Sequence, residues 1–187
     1  MTNNAEQFQK LLIGLQRGYG LLLSDVTYRY VKGQPTLQLY QQHLEGKISL
    51  GVIPIDKNNN CRFAVIDDDS HKSDKSKPVQ PYDYNKLLKN IDLLHLPLTV
   101  YKSKSGGAHI KLLLDKPYPA EKVRKVCKKF AYQLCEGAYE VFPKQDKLNP
   151  DGTGSAVNLP YHNANTRVAI DNKGNPLNVL EAMKYES

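Results

Sequence analysis

Apolar residues recur along this chain with two periods, and the switch between them marks out the elements. Over residues 5–16, Phe8, Leu11, Leu12 and Leu15 fall at helical spacing, which predicts a short amphipathic helix stopped by Gly18 and Gly20. Residues 36–45 read as a second helix, with Gly46 as its C-terminal stop. Residues 48–55 read as a strand, 56–60 as a turn, and 61–67 as a second strand whose nearly unbroken apolar run predicts burial on both faces. These two runs are expected to pair as a hairpin. Residues 70–81, SHKSDKSKPVQP, read as a polar surface loop.

Beyond that loop, Leu87, Leu88, Ile91, Leu94 and His95 form one stripe of a helix over 83–95. Residues 98–103 and 108–114 read as strands joined by a turn at Gly106 and Gly107. Pro119 opens a helix running to Gly137, with Val123, Val126, Cys127, Phe130 and Leu134 inward and Lys122, Arg124, Lys125, Lys128 and Lys129 outward. Val141 is expected in a strand, 152–154 in a loop, 156–159 in a short strand and 177–185 in a terminal helix. No internal repeat is visible. Strands pairing as hairpins around two or three covering helices predict an α+β fold.

A length of 187 residues suits one domain with a real core, and 40% apolar residues is ordinary for a globular chain. No apolar run approaches the roughly 18 residues a membrane helix needs. The start, MTNNAEQFQK, has neither a charged n-region nor an apolar h-region, so no signal peptide is expected. Cys61, Cys127 and Cys135 are odd in number and form no CxxC pair, which fits free thiols in a reduced, cytoplasmic setting.

The net charge of +7 is unevenly spread: residues 102–147 hold 11 Lys and Arg against 5 Asp and Glu. A local basic field of this size favours a polyanion, nucleic acid or nucleotide phosphate, although a solvated helix face would read the same way.

Three stretches carry candidate chemistry. Asp67-Asp68-Asp69 closes the apolar strand FAVI, and alternation along a strand lets Asp67 and Asp69 point together while Asp68 points away. Paired carboxylates at a strand end suit divalent cations, while the triplet alone would also suit an Asp-rich turn or caps for the following segment, which Ser70 and His71 would suit. The second stretch runs from Lys102 through Ser103, Lys104, Ser105, Gly106 and Gly107 to His109. Its glycines allow backbone N–H groups to face an anion, its lysines add charge, and His109 can donate to a phosphate oxygen. A plain hairpin turn with a satisfied histidine is the alternative, and the spacing is not that of a P-loop. The third is EVFPKQD, in which alternation puts Glu140, Phe142 and Lys144 on one face, so that Glu140 and Lys144 would both reach a nucleotide. By itself Glu140 also reads as a surface acid.

In order along the chain, the blocks HLEGKISLGVIPI, FAVIDDDSH, SKSGGAHIKL, FPKQDKL and GSAVNLPYHN resemble those of the archaeo-eukaryotic primase superfamily. The likeness is nearest to the primase-polymerases of phages, plasmids and conflict systems, of the TOTE or CRISPR-associated type, and covers roughly residues 37–165. It implies an α+β primase fold with an RRM-like mixed-sheet catalytic palm. A single domain over 1–187 is expected, divided into a small N-terminal helical portion (1–46), a catalytic core (47–165) and a C-terminal tail (166–187).

It further implies that Asp67, Asp69 and Glu140 bind two Mg²⁺ or Mn²⁺ ions, with Asp146 the competitor for third acid. His109, with Ser105 near it, would contact the phosphates of the incoming nucleotide. SGGAH is one residue shorter than the usual turn of the family, and no Cys-His cluster is present, so no zinc is expected. The expected partners are single-stranded DNA template, primer and nucleoside triphosphates, with a separate helicase to part strands and no membrane. The reaction so implied is template-dependent nucleotide transfer to a 3′-hydroxyl, as primase, polymerase or both. A non-catalytic single-stranded nucleic-acid-binding module would keep the basic stretch without needing the acids and His109 together. A metal-dependent nuclease would use the acids but leave the SGGAH turn unexplained.

Overall fold

The computed structural model describes residues 4–22, 28–69 and 80–185, with Tyr28 and Tyr185 as backbone only. The loop expected at 70–81 lies outside the described residues except for Gln80 and Pro81. In chain order the elements are α1 (Asn4–Leu11), β1 (Gly18–Leu22), β2 (Tyr28–Lys32), α2 (Leu37–Leu44), β3 (Ser49–Val52), β4 (Asn60–Asp68) and α3 (Tyr84–Leu93). They continue with β5 (Thr99–Lys102), β6 (Ala108–Pro119), α4 (Ala120–Leu134), β7 (Tyr139–Phe142), β8 (Val157–Asn158), β9 (Ala169–Ile170) and α5 (Val179–Tyr185).

The fold is α+β, as the patterning predicts, with two sheets among the described residues. One has the order β2-β1-β3-β8 and the other, the palm sheet, β7-β4-β6-β5-β9. Every described pairing is antiparallel, so the palm is an antiparallel sheet rather than a mixed one.

The expected hairpin of residues 48–55 with 61–67 does not form. β3 pairs with β1 and β8, β4 pairs with β6 and β7, and only the isolated bridge Ile55↔Cys61 joins the two runs. Both runs are buried on both faces and take both of their edge partners from elsewhere, while Pro54 between them has no N–H to give a ladder. The N-terminal portion also differs from a purely helical one, because β1 and β2 form a hairpin within it. Gly18 and Gly20 are strand residues, and α1 ends earlier, at Leu11. There the chain turns to dock on Ile53: Leu15 N–H donates to Ile53 O at 2.8 Å, and a Cβ on Gly14 would stand 2.0 Å from that oxygen. Only glycine permits the approach. At the end of α2, Gly46 adopts φ 77°, its N–H donating to His43 O and that of Lys47 to Gln42 O, the paired closure expected of a helix stop there.

The palm sheet divides the core in two. On its back face, Ala64, Ile66, Ala108, Ile110, Leu112 and Val141 pack against α3 and α4 through Leu87, Ile91, Val123, Cys127, Ala131 and Leu134. Val126, expected inward, is 41% exposed on the outer side of α4. On the front face, Phe63, Val65, Tyr101 and Phe142 pack with residues of the other sheet, Leu50, Val52 and Val157, and with Phe8, Tyr40 and Val179 of α1, α2 and α5. Cys61, Cys127 and Cys135 are free; burial pushes the thiols of Cys61 and Cys127 up to about 12, so both stay neutral. Among the described residues no helix is long and apolar enough to cross a membrane.

Candidate active site

Strand register assembles the site. Asp67 of β4 stands opposite His109 of β6 on one side and Glu140 of β7 on the other, and His109 stands opposite Tyr101 of β5. Residues paired across a sheet share a face, so Glu140, Asp67, His109 and Tyr101 form one row on the front face. His109 Nε2 lies 3.4 Å from Asp67 Oδ1, and His109 is 8% exposed. Asp68, one residue on, points to the back, where it is 1% exposed and accepts a 2.6 Å hydrogen bond from the Tyr82 hydroxyl. The alternation expected of the triplet is therefore the alternation observed.

Asp69 continues the front face from beyond the strand end. Ser105 Oγ donates to Asp69 Oδ1 at 2.6 Å, and Ser103 Oγ lies 2.9 Å from Ser105 Oγ. Gly106 N–H donates to Ser103 O at 3.3 Å and Ser103 N–H to Gly107 O at 2.9 Å, so this amide of Gly106 closes the turn instead of facing an anion. The turn thereby presents Ser105 to Asp69, with Ser103 behind it.

Glu140 pairs with Lys144 at 2.6 Å, and the ammonium also lies 5.0 Å from the centre of the Phe142 ring. Asp146 instead pairs with Arg124 of α4 at 2.9 Å, on the helix that covers the back. Lys102 also leaves the group: it stands opposite Ala108 on the back face, with its Nζ 5.8 Å from the Tyr84 ring.

Asp67 Oδ1 is buried and makes no hydrogen bond among the described residues. An orphaned carboxylate oxygen is costly to bury, and it is what a hard divalent cation would complete. The donor set, carboxylate oxygens with no sulfur, suits Mg²⁺ or Mn²⁺. Among the described residues no three His, Cys, Asp or Glu side chains converge as a ready metal cage. Asp69 is turned to Ser105 and Glu140 to Lys144, so the acids form an open row.

Two residues of this face escaped the sequence reading. Lys111 follows His109 by two on β6 and is 2% exposed, with its Nζ 4.0 Å from the Tyr101 ring centre; strand alternation from His109 would have found it. His43, on α2, is wholly buried, its Nδ1 accepting from Leu50 N–H at 3.1 Å and its Nε2 2.7 Å from Pro160 O. Burial is the main cause holding its pKa down at about 4, so the ring is neutral and ties α2 to the segment after β8.

A family model described as the archaeo-eukaryotic primase domain of the TOTE conflict system matches residues 27–178, more than half of the chain and all of the row just described. No curated protein matches the chain.

Proposed function

Because the chain belongs to the archaeo-eukaryotic primase domain family of TOTE conflict systems, we propose that it is a template-dependent nucleotidyltransferase, a primase-polymerase that joins nucleoside triphosphates to a 3′-hydroxyl. The observation that carries this reading is the row Glu140–Asp67–His109 on the front face, with Asp69 beside it and Asp67 Oδ1 buried without a hydrogen bond.

Asp67 and Asp69 would hold Mg²⁺ or Mn²⁺, with Glu140 joining them on release from Lys144. The ions would make the 3′-hydroxyl more acidic and stabilise the leaving pyrophosphate. His109 Nε2, next to Asp67, donates to a phosphate oxygen as negative charge builds on it, and Lys144 and Lys104 add positive charge to the same end. Ser105 fixes the rotamer of Asp69 through its 2.6 Å hydrogen bond. Placing Asp67, His109 and Glu140 on adjacent strands gives the rigidity that positioning demands.

The test is incubation with labelled ribo- and deoxynucleotides on single-stranded DNA, with and without primer, in Mg²⁺ and in Mn²⁺. Template-dependent product that disappears in Asp67→Ala is expected. Strand cleavage without incorporation would make the protein a nuclease, and DNA binding with neither would make it a binding module.

A further inference from the structure

The end of the palm sheet away from the acids carries an apolar groove. β4 and β6 run antiparallel, with Asp67 and His109 at one end of the pair and Arg62 and Asp115 at the other. At about 3.3 Å per residue, roughly 17 Å of strand separates Arg62 from Asp67. At that far end α1, α5 and the outgoing part of β6 enclose a cavity of about 710 Å³, with Leu11, Leu113, Leu114, Leu180 and Met183 as its apolar lining. A second cavity of about 440 Å³, lined by Ile13, Leu15, Pro54 and Pro117, shares Arg62 with the first, so the two adjoin at that side chain. Leu180 is 46% exposed, although Val179 and Ala182 of the same helix are buried in the front core. Apolar surface left open beside a cavity marks a place where another surface docks.

The rim has a sign. Lys10, Arg62 and Lys184 stand at the larger cavity and Arg17 and Lys57 at the smaller, against the acids Asp115 and Asp56. Asp56 is committed to its own turn, its Oδ1 accepting from the N–H groups of Asn58 and Asn60 at 2.8 and 2.9 Å. Arg62 Nη1 donates to the backbone oxygen of Asp115 at 3.5 Å, and Arg17 Nη2 to those of Asn149 and Gly152 at 3.3 and 2.8 Å. Neither guanidinium is paired with a carboxylate among the described residues, so the groove keeps an excess of positive charge. No aromatic side chain lines either cavity. Single-stranded nucleic acid is held on basic grooves that also offer aromatic platforms for its bases. An aliphatic floor inside a cationic rim instead complements an amphipathic polypeptide, whose apolar stripe enters the groove while its acids meet the rim.

We propose that this groove docks an acidic amphipathic helix of a partner protein. Its apolar stripe lies on Leu113, Leu114, Leu180 and Met183, and its carboxylates meet Lys10 and Arg62. A helix fits because α1 and α5, which pack on each other, already frame the cavity, and a third helix extends their layer over the end of β6. The flexible thioether of Met183 lets the floor adapt to the side chains that enter. The groove shares no residue with the acid row, so docking there leaves the row open.

The probe is a displayed library of amphipathic helices that share one leucine stripe and carry Glu, Gln or Lys at each outer position, selected on the full chain. Glu-rich survivors are expected, bound more weakly as salt is raised. The affinity of a selected peptide, read by fluorescence anisotropy, should fall by about tenfold or more in Leu180→Gln, and again in Lys10→Glu combined with Arg62→Glu. All three positions are exposed, so both variants should keep the melting temperature of the wild type. Survivors with no preference for Glu, or a selected peptide that binds both variants as tightly as wild type, overturn the proposal. So does single-stranded DNA that displaces the peptide and is itself weakened by the charge variant but not by Leu180→Gln, which would make the groove a nucleic-acid surface. Self-association of the chain that is lost in Leu180→Gln would overturn it too, by making the occupant a second copy.

Discussion

The two faces of the palm sheet are built from alternate residues of the same strands, yet their polar groups are treated in opposite ways. On the back, Asp68 is buried under α3 and α4 and satisfied at 2.6 Å by Tyr82, whose hydroxyl burial and that carboxylate keep protonated. On the front, its neighbour Asp67 has a buried oxygen left without a hydrogen bond, faces an imidazole at 3.4 Å and is flanked by a second acid across the strand. The same side chain is saturated on one face and held ready on the other. A satisfied buried carboxylate stiffens a fold, whereas an unsatisfied one keeps capacity for a ligand. The basic residues obey the same division: Lys104 and Lys144 belong with the front, while Lys102 and the lysines of α4 belong with the back.

Four measurements can break or sharpen that contrast. The largest effect is expected from Asp67→Ala, which should lower nucleotide incorporation by roughly a thousandfold, several kcal/mol of transition-state stabilisation. Its melting temperature should change little, because the buried Oδ1 makes no hydrogen bond among the described residues and only the 3.4 Å contact with His109 goes with it. A cooperative unfolding curve beside the rate settles whether Asp67 belongs with ligand or with fold. Next come the two candidates for third acid. Glu140→Gln should cost about a hundredfold in incorporation, whereas Asp146→Asn, which gives up only its pairing to Arg124 of α4, should stay within a few-fold of wild type. The reverse order would move the acid row off the β4–β7 register.

The third measurement concerns stability on each face. Asp68→Ala should destabilise the fold by about 2 kcal/mol, since it strands the Tyr82 hydroxyl, and should leave the rate per folded molecule unchanged. The front carries its own pH signature through His43. Its folded pKa of about 4 lies below the ordinary 6.5, so between those values the unfolded chain binds more protons. Stability should be complete above about pH 6.5 and fall as the pH drops toward 4, by up to about 3 kcal/mol. Urea midpoints across that range give the slope, and His43→Asn should flatten it.

The smallest effect tests the basic stretch. Lys125→Gln with Lys129→Gln, on the back, should change incorporation on a short primed template less than twofold. Lys104→Gln with Lys144→Gln should lower it and reduce the salt slope of single-stranded DNA binding, by about 0.7 for each phosphate that is no longer neutralised. Equal effects from both pairs would mean that nucleic acid reaches around the sheet.

Much of this was written in local patterning. The run FAVI followed by three aspartates marks a buried strand with acids at its end, and the period of two sends Asp67 and Asp68 apart without any knowledge of neighbours. The SGGAH turn between two apolar runs announces a hairpin, and the Leu87/Ile91 stripe announces α3. These features depend on interactions within a few residues, so spacing alone predicts them. What pairs with what is a different matter. Residues 48–55 and 61–67 look like two arms of a hairpin, but each arm is buried on both faces and found its partners far away, in β1 and β8 or in β6 and β7. The hairpin of β1 and β2 and the two-residue β9 are too short or too polar to announce themselves. Nor does anything local distinguish Arg167 from a surface arginine. Its burial depends on Ser49 and Leu159 closing around it from other elements, and its left-handed backbone depends on the bonds that clamp residues 161–167. Patterning determines which way a side chain leaves the backbone; only the packed sheets determine what it meets there, because desolvation and charge are set by neighbours distant in the chain.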